Sequence, residues 1–353
     1  MSHQDVTETP PRLQLTRLIL SLWAPQSIHA AAALRIPDLL ADGPRRSDEL
    51  AQAAGAHPGA LHRLMRALVA LELCTQTEDG AFALTQMGDY LRSDSPDSAR
   101  SWALLMGGRY VWHGWECLVD CVRTGQPAPK LLGEKETFEA MAADPEGAAI
   151  FYQAMVETTR QAAGALIKAY DFSGVSSLVD VGGGYGVLLS AILAAYPQMR
   201  GKDFDLPHCQ EGATRLFAES GVDGRAEFVA GSFFESVPAG ADAYILKSVI
   251  HDWDDERSLA IFKNCREAMK NGARLLVIEP TVPERVGSSS HDGVIIGSDL
   301  NMLVMAGGRE RTEAEFRGLL EASGLRIARI VTAPPTAFSV IETVRSPAFR
   351  RKL

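Results

Sequence analysis

"SSLVDVGGGYGVLLSAIL", residues 176–193, decides how the rest of the chain is read. An apolar run ends in Gly182-Gly183-Gly184, then Tyr185 and Gly186, and a second apolar run follows. The pattern predicts a buried strand, a tight turn and a helix. In parallel α/β sheets, ligands lie outside the carboxyl ends of the strands, beside the first such turn. Glycine there lets the backbone take positive φ and come close to a bound molecule. A dinucleotide fingerprint needs G-x-G-x-x-G with an acidic residue about 20 positions on. Gly182 and Gly184 fill its first two places, but Val187 holds the third. The acidic residue is present. Asp205, in "KDFDLP", lies 23 positions after Gly182, where a carboxylate can accept both hydroxyls of a ribose. An adenosine-type ligand is predicted, with no sign of a pyrophosphate.

Outward from this stretch the rhythm is strand, helix, strand. "SSLVDVGG", "KDFDLP", "AEFVAGSF", "DAYILKSV" and "ARLLVIEP" are short apolar runs separated by helical stretches. That alternation predicts a parallel doubly wound sheet. The final "RIARIVTAPPTAFSVIETVR" predicts two strands joined by a Pro-Pro turn, an antiparallel pair closing the sheet. Residues 169–353 are therefore expected to form an α/β, Rossmann-like domain with an antiparallel C-terminal hairpin.

Upstream, residues 14–100 are helix-rich. Ser47 is expected to cap a helix ending near Gly55, a second helix follows Pro58, and Glu78-Asp79-Gly80 marks a hairpin turn. Helix, turn, helix and hairpin make a winged-helix pattern. A DNA-reading role conflicts with the charge: the first hundred residues hold nine Arg, no Lys and twelve Asp plus Glu. A groove-reading helix needs side chains for bases and phosphates, so a packing or dimerising module fits better. Residues 101–168 read as connecting helices rich in tryptophan and methionine, packed in the core or roofing an aromatic substrate.

Composition bounds the rest. The chain has 353 residues, enough for two domains with full cores. It is 46% hydrophobic and 22% charged, a globular balance, and its net charge of -9 disfavours non-specific binding to nucleic acid or anionic lipid. No apolar run approaches the ~20 residues that span a bilayer. "MSHQDVTETPPRLQ" lacks the pattern of a secretory signal and reads as a disordered tail, consistent with a cytoplasmic location. Cys74, Cys117, Cys121, Cys209 and Cys265 have no zinc-site spacing, so free thiols and a metal-free site are expected.

Six stretches, "LVDVGGGYG", "FDLPH", "GSFFESVP", "ILKSVIHDWDDE", "LLVIEPTVP" and "GGRERTEAEF", occur in order across residues 175–320. In order and spacing they resemble the class I S-adenosylmethionine-dependent O-methyltransferases, in the branch acting on plant phenolics and bacterial aromatic natural products. The N-terminal pattern is similar to that family's winged-helix dimerisation domain. The resemblance implies S-adenosyl-L-methionine as cofactor, an aromatic small-molecule acceptor and a homodimer. It also implies that Gly182 and Gly184 line the cofactor loop and Asp205 takes the ribose. Ser232 and Phe233 flank the adenine, and Lys247 lies close to the cofactor. At Ser232 many plant members have Asp, though a hydroxyl can still hydrogen-bond.

The implied chemistry is methylation of a phenolic hydroxyl, with His251 as base. Free phenol has a pKa near ~10 and histidine ~6.5, so the proton must move as the transition state forms. A base needs an orienting partner on its other ring nitrogen, and Glu279 and Glu310 match the family's flanking acids. Glu310 lies between Arg309 and Arg311, so a surface ion pair competes as its reading. Asp252 is expected to contact a second acceptor hydroxyl, Trp253 to pack beside the cofactor, and Met302 to face the acceptor ring. Three other functions stay open: hydroxylation or C- or N-methylation with the same cofactor, a DNA-binding metabolite sensor, and a nicotinamide dehydrogenase.

Overall fold

The computed structural model describes residues 9–136 and 144–347. Residues 1–8 of the expected N-terminal tail lie outside them, and a helix, Pro11–Leu20, already occupies part of that stretch. The chain divides into two compact units at Trp112–His113, a break inside the stretch read as connecting helices.

In the first unit, helices Ser47–Ala54 and Pro58–Ala70 precede a two-stranded antiparallel hairpin, β1 (Cys74–Gln76) and β2 (Phe82–Leu84). The helix Ser47–Ala54 stops because Gly55 takes a left-handed φ of 63°. Ser47 is not its cap. Arg46 holds the cap position, its N–H donating to Glu49, while the Ser47 hydroxyl pairs with His62 Nδ1 at 3.0 Å. Ile36, Leu50, Leu61, Met65, Leu68 and Phe82 form the core of this unit. Leu15, Leu18, Ile19 and Trp23, on the first two helices, remain more than half exposed.

The second unit is built on one sheet. Its strands are β3 (Ser177–Val181), β4 (Arg200–Asp205), β5 (Ala226–Ala230), β6 (Ala243–Lys247), β7 (Arg274–Val282), β8 (Arg311–Thr312), β9 (Leu325–Thr332) and β10 (Phe338–Arg345). Their order is β5-β4-β3-β6-β7-β10-β9, with β8 beside β7. Strands β3 to β7 run parallel, and β10 runs antiparallel to both β7 and β9 on either side of it. This is the doubly wound sheet with a closing hairpin. The two-residue β8 gave no signal in the sequence.

Side chains alternate across a strand, and the cores follow that period. Val179, Val181, Phe204, Tyr244 and Leu246 enter the core on one face, with helices Asp255–Ala268 and Glu313–Ala322. Leu178, Ala243 and Ile245 enter the core on the other, with helices Pro145–Ala169, Val187–Ala195 and Gln210–Glu219. By the same alternation Asp180, Asp203, Asp205 and Lys247 share this second face. The strand order reverses at β3, so a crevice opens at the carboxyl ends of β3, β4 and β6.

Candidate active site

A cleft opens at this switch point. Gly182, Gly184, Asp205, Ser232, Phe233 and Lys247 all line it, so the fold gathers every residue expected at the cofactor. Gly182, Gly184 and Gly186 have φ of 74°, 64° and 72°, the left-handed region that glycine enters without strain. A Cβ at Gly182 would meet Val249 Cγ2 at 2.7 Å, so a side chain there would crowd the loop.

Asp205 ends β4 beneath this loop. Its carboxylate accepts N–H groups from Gly184 at 2.7 Å and Leu206 at 2.6 Å. Burial raises its pKa, and these two bonds and His208 oppose the rise. A carboxylate has about four lone-pair sites, so capacity remains for ribose hydroxyls. Phe233 and Trp253 form apolar walls, with ring centroids 6.1 Å apart. Lys247 is not a solvent-facing strand lysine. Its Nζ donates to Thr159 Oγ1 at 3.1 Å and lies over the Phe338 ring, and burial lowers its pKa to about 8.

His251 stands in a single turn, Ile250–Asp252, just after β6, with its side chain 15% exposed. Glu279 on β7 accepts the N–H groups of Val249 and Ile250 through Oε1, at 3.0 and 2.9 Å. It thereby fixes the backbone that carries the imidazole, and its Oε2 lies 3.5 Å from Nδ1. Glu310 makes the closer contact: Oε1 lies 2.9 Å from His251 Nδ1 and accepts the Ser298 hydroxyl at 2.7 Å. The surface ion-pair reading of Glu310 fails, because its side chain is fully buried. Arg311 turns inward as well, donating to the carbonyls of Ile250 and Trp253 and to Asp255.

The electrostatics follow from burial and crowding. Burial opposes charge on His251, yet Glu279, Asp252 and Glu310 together outweigh it and lift the imidazole to about 10. Burial pushes Asp252 up to about 6 and Glu279 up to about 7, with His251 pulling both down. Asp252 Oδ1 lies 3.7 Å from Nε2, on the side of the ring away from Glu310, and lines the cleft. Met302, half-buried, sits four residues after Ser298 on the helix Ser290–Met305, hence on the face that carries the Glu310 contact. The structure places it there but not on the cleft wall. One nitrogen of His251 and one oxygen each from Glu279 and Glu310 lie within 4.8 Å of one another, a donor set a divalent cation could use. The short contact to Glu310 already engages Nδ1.

Fold and site define a nucleoside-binding α/β enzyme with a carboxylate-flanked histidine at the cleft rim. The family model for the O-methyltransferase domain matches residues 115–326, and that for the O-methyltransferase dimerisation domain matches residues 16–94. Phenazine O-methyltransferase PhzM of Lysobacter antibioticus is 41% identical over 93% of this chain and 94% of its own. The mitomycin biosynthesis 6-O-methyltransferase of Streptomyces lavendulae is 36% identical over 93% of each chain. Among solved structures, LaPhzM superposes with a TM-score of 0.91 at 39% identity, covering 96% of this chain and all of that one. The chain belongs to the O-methyltransferase family, and it is a methyltransferase.

Two features of this site escaped sequence reasoning. Thr159, 88 residues before Lys247, and Ser298 carry no local signal of their contacts. The acids Asp180 and Asp203 face one another across β3 and β4, both fully buried.

Proposed function

We propose that the chain uses S-adenosylmethionine to methylate a phenolic hydroxyl of an aromatic small molecule, with His251 as the general base, and that it works as a homodimer. The observation that carries the reading is the pairing of the glycine loop and Asp205 with the His251–Glu310 contact in one unit. The residues present fit the cofactor: close backbone at the loop, a carboxylate with lone pairs left at Asp205, and apolar walls at Phe233 and Trp253. Gly182 and Gly184 would hold the amino-acid end, Asp205 the ribose, and Ser232 and Phe233 the adenine. Lys247, on the cleft wall, would lie close to the bound ligand. Bound there, S-adenosylmethionine supplies a methyl group on a positively charged sulfur, open to in-line displacement by an oxygen.

The rest is the protein's work. His251 donates Nδ1–H to Glu310, which leaves Nε2 as the atom that takes the acceptor's proton. The three carboxylates strengthen the base until it matches a phenol of pKa ~10, so the transfer runs nearly level. They also hold the ring protonated at neutral pH. The working form is the neutral imidazole, whose share grows as pH rises toward about 10. Asp252, beside Nε2, accepts a hydrogen bond from a second acceptor hydroxyl, and Met302 packs against the acceptor ring. Placing the oxygen supplies much of the remaining rate. The exposed apolar side chains of Leu15, Leu18, Ile19 and Trp23 suit burial against a second copy.

The test is calorimetry with S-adenosylmethionine and with NAD, followed by incubation with a panel of phenols and mass analysis. Binding of the first alone, and a product heavier by one methylene, is the expected result. A hydroxylated product, or methylation at carbon or nitrogen, would overturn the phenolic reading.

A further inference from the structure

One face of the helix Pro145–Ala169 roofs the cleft. Tyr152, Met155, Val156 and Thr159 follow the i, i+3, i+4, i+7 spacing of a helical stripe, and all four line it. The roof is fastened near both ends of that stripe. At one, Thr159 takes the hydrogen bond from Lys247. At the other, Tyr152 reaches two separate elements at once. Its ring stacks on Tyr185 of the glycine loop, with centroids 5.1 Å apart and planes at 26°. Its hydroxyl lies 2.6 Å from His208 Nε2.

His208 stands in the turn Pro207–Cys209, three residues after Asp205 on the same connection. The ring therefore rests on the loop while the hydroxyl holds the segment that carries the Asp205 carboxylate. Burial, with Asp205 and Cys209 nearby, keeps the phenol neutral. A tyrosine only 8% exposed that served as plain core would need no partner on the ligand-bearing connection. Here the stacked ring and the hydroxyl each reach a segment that borders the nucleoside end of the cleft.

We infer that Tyr152 is a positioning residue for the methyl donor, pinning the roof helix to the glycine loop through Tyr185 and to the Asp205 segment through His208, and so setting how fast donor and demethylated product leave. The inference rests on the reading of this cleft as the S-adenosylmethionine site. A pin of this kind acts on residence more than on encounter, since affinity differences among variants of one site lie mostly in the release rate.

The probe is S-adenosylhomocysteine, with binding followed by calorimetry and release by stopped-flow tryptophan fluorescence, since Trp253 lines the cleft. Tyr152→Phe keeps the stacked ring and removes the hydrogen bond. It should weaken binding about three- to tenfold, the range of one net hydrogen bond, with the loss carried by faster release. KM for the donor should rise by the same factor, kcat should hold or increase, and the melting temperature without ligand should fall by only about 2–4 °C, the cost of one hydrogen bond. His208→Ala should reproduce the effect, and the double variant should add little to either single one. Unchanged release in either variant, or effects that multiply in the double variant, would overturn the pin. Failure of the wild-type protein to bind S-adenosylhomocysteine would overturn the donor reading with it, so the two failures are distinguishable.

Discussion

Glu310→Gln isolates what the buried carboxylates do to His251. Glutamine keeps the volume, and its carbonyl can still accept from Nδ1, so the change removes charge and little else. Three carboxylates surround the ring at 2.9 Å (Glu310), 3.5 Å (Glu279) and 3.7 Å (Asp252). Glu279 and Asp252 make the larger charge contributions, and Glu310 adds its own charge and the hydrogen bond to Nδ1. Together they raise the imidazole from 6.5 to about 10 against the opposing effect of burial. Removing one of the three charges should take back on the order of one pH unit, or on the order of 1 kcal/mol. The wild-type rate should climb with pH as the neutral imidazole forms. In Glu310→Gln the climb should begin about one pH unit lower and reach a lower plateau, because a weaker base transfers the proton less readily. The assay is initial rate from about pH 6 to about pH 11 with one phenol at saturating donor, so acceptor ionisation is common to both enzymes. Superimposable profiles would refute the reasoning.

Two further outcomes concern the floor beneath the glycine loop. Among the described residues neither oxygen of Asp203 has a hydrogen-bond partner, and burial with Asp180 and Asp205 alongside raises its pKa well above the usual carboxylate range, while Asp180 rises to about 7. A carboxyl raised on folding stabilises below its unfolded pKa of ~3.9 and loses that contribution as pH rises through the folded value. Asp203→Asn cannot titrate, so its melting temperature relative to wild type should increase from pH 5 to pH 8, by at least about 2 °C if 1 kcal/mol is recovered. A difference independent of pH would contradict the account of this pair. Gly183→Ala would place a Cβ 2.2 Å from Asp203 Oδ1, and should lower stability by about 1–3 kcal/mol in urea unfolding. A neutral effect would mean that the loop does not rest on these carboxyls.

Much of this was legible in the sequence because it is periodic or local. Strands β3 to β7 announced themselves as apolar runs between helical stretches, and the glycines and Asp205 stood at fixed offsets from β3. His251 and Glu279 followed from their places just beyond β6 and near the end of β7, together with the family resemblance. Contacts between distant segments were not legible. Glu310, set between two arginines, could be read equally as a surface ion pair or as a partner of His251, and only the fold, which turned Arg311 inward and laid Ser298 and His251 on the acid, separates the two. Tyr152 read as one more aromatic of a connecting helix, since nothing near it names His208, 56 residues away. The Asp180–Asp203 pairing depends on the register of β3 against β4, which neither strand encodes alone.

His251→Ala tests the central claim most directly, with donor affinity and turnover measured on the same preparation. The proposed roles predict unchanged binding of S-adenosylmethionine, since His251 is not among the residues lining the donor cleft, and turnover reduced by about 10²–10⁴-fold, the contribution of a general base. Intact binding accompanied by full turnover would contradict the assignment of the base.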